Sequence, residues 1–175
     1  AARKDGTHES PPTSCHTQGR GRSQVTMSKI IVHGSKGRMG QAIIACAECT
    51  DGIEVIDAVD IGDDLVSVIV SCDAVIDFSF HEATPSAAAL CAKHKKALII
   101  GTTGHTGEEK ANILEHQSEI PIVWASNYST GVNMLFWLTR KAADILGPDF
   151  DLEIIEMHHR HKVDAPSGTA TTLGE

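Results

Sequence analysis

Between residues 29 and 125 the chain repeats one pattern, a short aliphatic run followed by a stretch with helical spacing. The runs are Ile30-Ile31-Val32, Ile53 to Val59, Ala74 to Phe78, Ala97 to Ile100 and Ile120 to Ala125. Between them lie Arg38 to Thr50, with Met39, Ile43 and Ala47 on one face, then Asp63 to Ser71, Pro85 to Lys96 and Gly107 to Glu119. A strand that is apolar on both sides must be covered on both sides. The runs therefore predict a parallel sheet between two layers of helix. Right-handed crossovers make this an α/β, doubly wound, Rossmann-like fold.

Beyond residue 125 the pattern changes. Gly131 to Leu146 predicts a longer helix, stopped by Gly147-Pro148. Phe150 to Glu156 alternates like a strand with one wet face, and Ser167-Gly168-Thr169 reads as a helix start. These elements open a second, α+β domain that is incomplete at Glu175. At the other end, residues 1–26 are rich in Ser, Thr, Gly, Pro and Arg and almost free of apolar residues. Such a segment cannot bury enough surface to offset its ordering entropy, so a disordered tail is expected, with Met27 as a natural start.

The formal charge of −8 argues against a nucleic-acid partner, which needs a net basic face. No apolar run approaches the ~20 residues that span a bilayer, and no secretory leader is evident, so a cytoplasmic chain without a membrane partner is expected. Five scattered cysteines do not form a disulfide framework. Cys46 and Cys49 are three apart inside a predicted helix, with no second pair to complete a zinc site. They read as small, semi-buried helix residues.

The corner Gly34-Ser35-Lys36-Gly37-Arg38-Met39 precedes Gly40 and joins the first strand to the first helix. Glycine is often needed at such corners for geometry alone. In this context it also lets backbone N–H groups approach a pyrophosphate at a helix N-terminus. Asp60 lies 20 residues past Gly40 at the end of the second strand, where an acid can hold an adenosine ribose. Taken alone it could equally be a solvated strand-end acid. Ile61 after it tilts toward NADH, while Lys36 or Arg38 could neutralise a 2′-phosphate; the choice between NADH and NADPH stays open. Gly101, Thr102 and Thr103 follow the fourth strand, and Ala125, Ser126, Asn127 and Tyr128 the fifth. Both loops fall on the rim where open α/β sheets bind ligands, so they are read as a nicotinamide site.

Residues 156–170 place three imidazoles, a guanidinium and an ammonium before a Pro-Ser-Gly-Thr turn. His158 and Lys162 are four apart and can face one cleft. An imidazole passes protons near neutral pH, and an ammonium holds carboxylates and donates a proton. His159, Arg160 and His161 add charge, Asp164 either orients the loop or pairs with a neighbouring cation, and Ser167, Gly168 and Thr169 can clasp a carboxylate. A solvated surface run would not normally lead into an ordered helix cap. Zinc is disfavoured by the adjacent Arg and Lys, so no metal is assigned. The reading is a pocket for a small anion.

These motifs resemble the 4-hydroxy-tetrahydrodipicolinate reductase (dihydrodipicolinate reductase) family. The matching residues are Gly34-x-x-Gly37-Arg38-Met39-Gly40, Gly101-Thr102-Thr103-Gly104, Asn127-Tyr128-Ser129-x-Gly131-Val132-Asn133, and Glu156-x-His158-His159-x-x-Lys162-x-Asp164-Ala165-Pro166-Ser167-Gly168-Thr169-Ala170. The resemblance covers about residues 28–175. It implies a dinucleotide-binding domain over 27–129 and the beginning of a substrate and oligomerisation domain over 130–175. It implies NADH or NADPH at Gly34 to Met39, Asp60, Gly101 to Thr103 and Ala125 to Tyr128. It implies acid/base duty for His158, proton donation by Lys162, and substrate contacts at His159, Gly168 and Thr169. The implied reaction reduces a cyclic dicarboxylate to tetrahydrodipicolinate with loss of water, on the diaminopimelate route to lysine, in a homotetramer. The family continues past the point corresponding to Glu175, so the isolated polypeptide is expected not to turn over. Two other readings compete: another Rossmann-type dehydrogenase, which would need a different catalytic set, and a non-catalytic NAD-binding module.

Overall fold

The structure is a computed structural model that describes residues 26–160, 162 and 165–175. The tail expected over 1–26 falls, apart from Thr26, outside the described residues, as do His161 and Asp164. Five strands, β1 (Ser28–His33), β2 (Ile53–Val59), β3 (Ala74–Asp77), β4 (Ala97–Ile100) and β5 (Ile122–Trp124), form one sheet. Every pairing is parallel and the order is β2-β1-β3-β4-β5. The helices are α1 (Arg38–Glu48), α2 (Leu65–Val68), α3 (Thr84–His94), α4 (Gly107–Leu114), α5 (Thr130–Leu146) and α6 (Gly168–Gly174). The Rossmann-like architecture is the one the aliphatic periodicity predicts.

The two-residue period of β1 divides the core. Ile31 points into one cluster with Val75, Leu98, Ile100, Ala88 and Cys91 of α3 and Ile113 of α4. Ile30 and Val32 point the other way, into a cluster with Ile43, Ile44 and Ala47 of α1. Each Ile or Val buried this way contributes roughly 1.5–3 kcal/mol. The strand order reverses between β1 and β3, which opens a crevice past their C-terminal ends.

Several helices are shorter than predicted, for local reasons. After α4 the backbone switches to three-residue hydrogen bonds, His116 to Ile113 and Gln117 to Leu114, which tighten the chain and end the helix before Glu119. Cys49 and Thr50 do the same at the end of α1. Helix α3 stops at His94 because Lys95 adopts a left-handed conformation, φ 54°.

Three expectations are corrected. Phe150 to Glu156 forms no strand, since a strand needs a paired backbone and none lies beside it among the described residues. Cys46 and Cys49 are exposed rather than half-buried, Cys46 in the last turn of α1 and Cys49 at its C-cap. Met39, expected on the apolar face of α1, is 53% exposed and lines a crevice instead. None of the described helices is long and apolar enough to cross a membrane.

Candidate functional site

The glycine corner is tight at two places. Gly34 has φ +82°, and a Cβ there would run into the carbonyl of Phe78. A Cβ on Gly40 would meet the Gly34 carbonyl and the Ser35 backbone. Both N–H groups of Gly34 and Ser35 donate to the Val59 carbonyl, at 2.9 and 3.1 Å, so the corner is anchored to the end of β2. Gly37 is the N-cap of α1, whose first-turn N–H groups have no partner within the helix. Ser35 is buried, with its carbonyl accepting from Gln41 Nε2 at 2.6 Å.

Asp60 joins this corner. Its Oδ2 accepts from the Lys36 N–H at 2.7 Å and its Oδ1 from the Ile61 N–H at 2.8 Å. These two backbone donors, Lys36 first, hold the carboxyl below the usual carboxylate range. A cavity of about 430 Å³ is lined by Gly34, Gly37, Asp60, Asp63 and Phe78. A second, of about 310 Å³, is lined by Arg38, Met39, Phe78, Gly101, Thr102 and Thr103. The two cavities share Gly37, Phe78, Ser79 and Phe80, so the glycine corner, Asp60 and Gly101 to Thr103 lie along adjoining cavities, while Ser126 lines a third and Ala125, Asn127 and Tyr128 line none of them. The Cβ positions of Gly34 and Gly40 are taken up by the corner's own backbone, so these glycines let the corner close on itself, while the free N–H groups of the first turn of α1 suit a pyrophosphate.

Asp77 underlies the rim and was not singled out from sequence. It is fully buried at the end of β3. Its carboxylate accepts from Thr84 Oγ1 at 2.6 Å, from Ser79 Oγ at 2.5 Å and from the Ser79 N–H at 3.1 Å. His33 Nδ1 lies 3.0 Å away, near enough to pair in charge but too poorly aligned for a good hydrogen bond. Burial pushes the Asp77 carboxyl up, yet His33, Ser79 and Thr84 together outweigh it and hold it below the usual range. The Asp77 carbonyl accepts from the Gly101 N–H at 2.9 Å and from Thr102 Oγ1 at 3.3 Å. One residue therefore ties the ends of β1 and β3, the start of α3 and the loop after β4.

The loop after β5 is held from within. Asn127 Oδ1 accepts from the Ser129 N–H at 2.7 Å, and the Tyr128 hydroxyl lies 2.9 Å from the Ile100 carbonyl. The Ala125 N–H donates to the same carbonyl at 3.3 Å. Ser126 Oγ sits 2.9 Å from Thr172 Oγ1, which docks α6 against the sheet rim. Thr102, Thr103, Ser126 and Gly168 line a cavity of about 490 Å³ at that contact.

His158 and Lys162 line a separate cavity of about 290 Å³ with Glu156, Ser167 and Thr169. Glu156 organises it. Its Oε2 accepts from Ser167 Oγ at 2.5 Å and lies 2.8 Å from His158 Nε2, while its Oε1 accepts from the Ser167 N–H at 2.9 Å. The Ser167 hydroxyl, then His158, then the Ser167 N–H bring the Glu156 carboxyl down to about 2. His159 is exposed and outside this lining. His158 and Lys162 share one pocket, while the glycine corner and Gly101 to Thr103 line others. Helix α6 stands between them, with Gly168 on the sheet-rim cavity and Thr169 on the His158 cavity. Among the described residues, no group of three His, Cys, Asp or Glu side chains could hold a metal ion.

Sequence reasoning also passed over Phe78, Ser79 and Phe80, which line both nucleotide-side cavities. The rule that ligands sit past the strand ends where the order reverses points to this loop once β1 and β3 are known to be neighbours.

Residues 28–128 match the family model described as dihydrodipicolinate reductase, N-terminus, and residues 131–175 match its C-terminus counterpart. A 4-hydroxy-tetrahydrodipicolinate reductase from Akkermansia muciniphila is 52% identical over 149 residues, covering 85% of this chain and 61% of its own length. One from Anaeromyxobacter dehalogenans is 41% identical over 172 residues, covering 85% and 64%. A solved structure, dipicolinate-bound dihydrodipicolinate reductase from Paenisporosarcina sp. TG-14, superposes with a TM-score of 0.68 at 26% identity, covering 85% of this chain and 64% of that one. The chain spans a little under two thirds of the length of the relatives it matches.

Proposed function

Because the chain belongs to the dihydrodipicolinate reductase family, we propose that it carries the nucleotide site and part of the substrate site of an NAD(P)H-dependent 4-hydroxy-tetrahydrodipicolinate reductase. In this reading residues 27–129 bind the dinucleotide and residues 130–175 open the substrate and oligomerisation domain of a cytoplasmic homotetramer. The reaction yields tetrahydrodipicolinate with loss of water, on the diaminopimelate route to lysine. The observation that carries the reading is the shared pocket of His158 and Lys162, built around Glu156 and Ser167. Dipicolinate, bound in the Paenisporosarcina protein, is a flat cyclic dicarboxylate of the class such a pocket suits.

The nucleotide, when bound, supplies a hydride. The residues of this chain do the rest. Gly34, Ser35, Gly37 and the first turn of α1, with Arg38 and Met39, cradle the pyrophosphate, and Asp60 accepts from the ribose. Thr102, Thr103, Ala125, Ser126, Asn127 and Tyr128 shape the rim that holds the nicotinamide. His159, Gly168 and Thr169 bind substrate carboxylates. The Lys162 ammonium stabilises the negative charge that builds toward the ring nitrogen and then donates a proton there, and His158 exchanges protons with the substrate. Closure of the two domains on each other brings the nicotinamide against the substrate ring and excludes water.

The test replaces His158 and Lys162 by Ala in the full-length protein and follows nucleotide oxidation with the product of dihydrodipicolinate synthase. Each change is expected to lower kcat about 10²–10⁴-fold with nucleotide affinity kept. Rates within twofold of the parent would remove both residues from the chemistry.

A further inference from the structure

Two carboxylates, Asp60 and Asp63, line the cavity between the glycine corner and the end of β2. The basic side chain in that lining is His33, which is already set 3.0 Å from the buried Asp77 carboxylate. Arg38 lines the neighbouring cavity and not this one. Lys36 lies at the edge, but its ammonium is directed to Asp63, with Nζ 3.8 Å from Oδ2. The same Asp63 oxygen accepts from the Asp60 N–H at 2.9 Å, which fixes the turn that presents both acids.

This arrangement treats the two nicotinamide dinucleotides differently. Asp60 is ionised and its oxygens can only accept; each already takes one backbone N–H and keeps a further lone pair. A free ribose 2′-hydroxyl can donate to that lone pair. A 2′-phosphate offers oxygen acceptors and about −1.5 to −2 charges, so it meets two carboxylates with no hydrogen bond to exchange.

We propose that the ribose end of this site selects NADH over NADPH, and that Asp63 is a specificity-determining residue. It adds a second negative charge and holds Lys36, the ammonium that would otherwise meet the 2′-phosphate. The inference rests on the reading of the glycine corner as a dinucleotide site. Because Asp63 and Lys36 are 48% and 70% exposed, the preference is screened by water and weakens as salt rises.

The experiment titrates NADH and NADPH by nucleotide fluorescence into the full-length protein and its Asp63→Asn, Lys36→Ala and doubly substituted variants, at low ionic strength. NADH is expected to bind about tenfold tighter or more. Asp63→Asn is expected to tighten NADPH about fivefold while moving NADH less than about twofold, and adding Lys36→Ala should cancel that gain. Equal or tighter binding of NADPH by the parent protein, or an Asp63→Asn ratio unchanged from the parent, overturns the specificity and leaves the dinucleotide site standing. Binding of neither nucleotide overturns both.

Discussion

Removing the charge on Asp77 is the sharpest test of how the rim is built. The residue is wholly buried, and its carboxylate takes hydrogen bonds from Thr84 and Ser79 and lies 3.0 Å from His33 Nδ1. Asp77→Ala strands the Thr84 hydroxyl, itself fully buried, and leaves His33 and Ser79 to reach for water at the cavity edge. An unsatisfied buried donor costs about 1–3 kcal/mol, and the set together about 3–5 kcal/mol, a large part of a typical domain's 5–15 kcal/mol. Asp77→Asn keeps the volume and one accepting oxygen but turns an NH₂ toward donors, which costs about 1–3 kcal/mol. Urea unfolding at pH 7 measures both. The pH arm has a definite sign. The folded-state carboxyl lies below its unfolded value of about 3.9, so its contribution is complete above that pH and is lost as pH falls through the folded value. The gap between the parent and Asp77→Asn should therefore narrow as pH falls below about 3.9. An Asn variant within about 0.5 kcal/mol of the parent at pH 7, with no narrowing in acid, would refute the account.

Two further outcomes follow from the geometry. Glu156→Ala releases both His158 and Ser167, so kcat should fall about tenfold or more while Glu156→Gln, which still accepts from Ser167, restores part of it. A matched fall in both variants with an unchanged pH–rate profile would assign Glu156 a purely structural role. Gly34→Ala places a Cβ against the Phe78 carbonyl at a positive φ, and is expected to cost about 2 kcal/mol or more and to weaken nucleotide binding about tenfold. Unchanged melting and affinity would show that the corner has slack.

The sheet was legible because its determinants are local. Ile53 to Val59 and Ala97 to Ile100 are strands with the predicted limits, since an aliphatic run bounded by turn residues marks its own ends. The glycine corner was legible too, as were the helix start after Ser167 and the imidazole–ammonium pair in one pocket, because each lies within a few residues of chain. What depends on distant partners had to wait for the tertiary structure. Phe150 to Glu156 alternates like a strand, yet strandhood belongs to a pair of backbones. Asp77 reads as the polar end of an apolar run until His33 and Thr84 close on it from 44 and 7 residues away. Asp60 is an ordinary strand-end acid until the corner 24 residues earlier donates to it, and Glu156, beside His158 in sequence, acquires Ser167 from 11 residues away. Periodicity and turn chemistry act through neighbours along the chain, so they determined the elements; charge pairing and cavities act through space, so only the packed sheet decided which residues make the site.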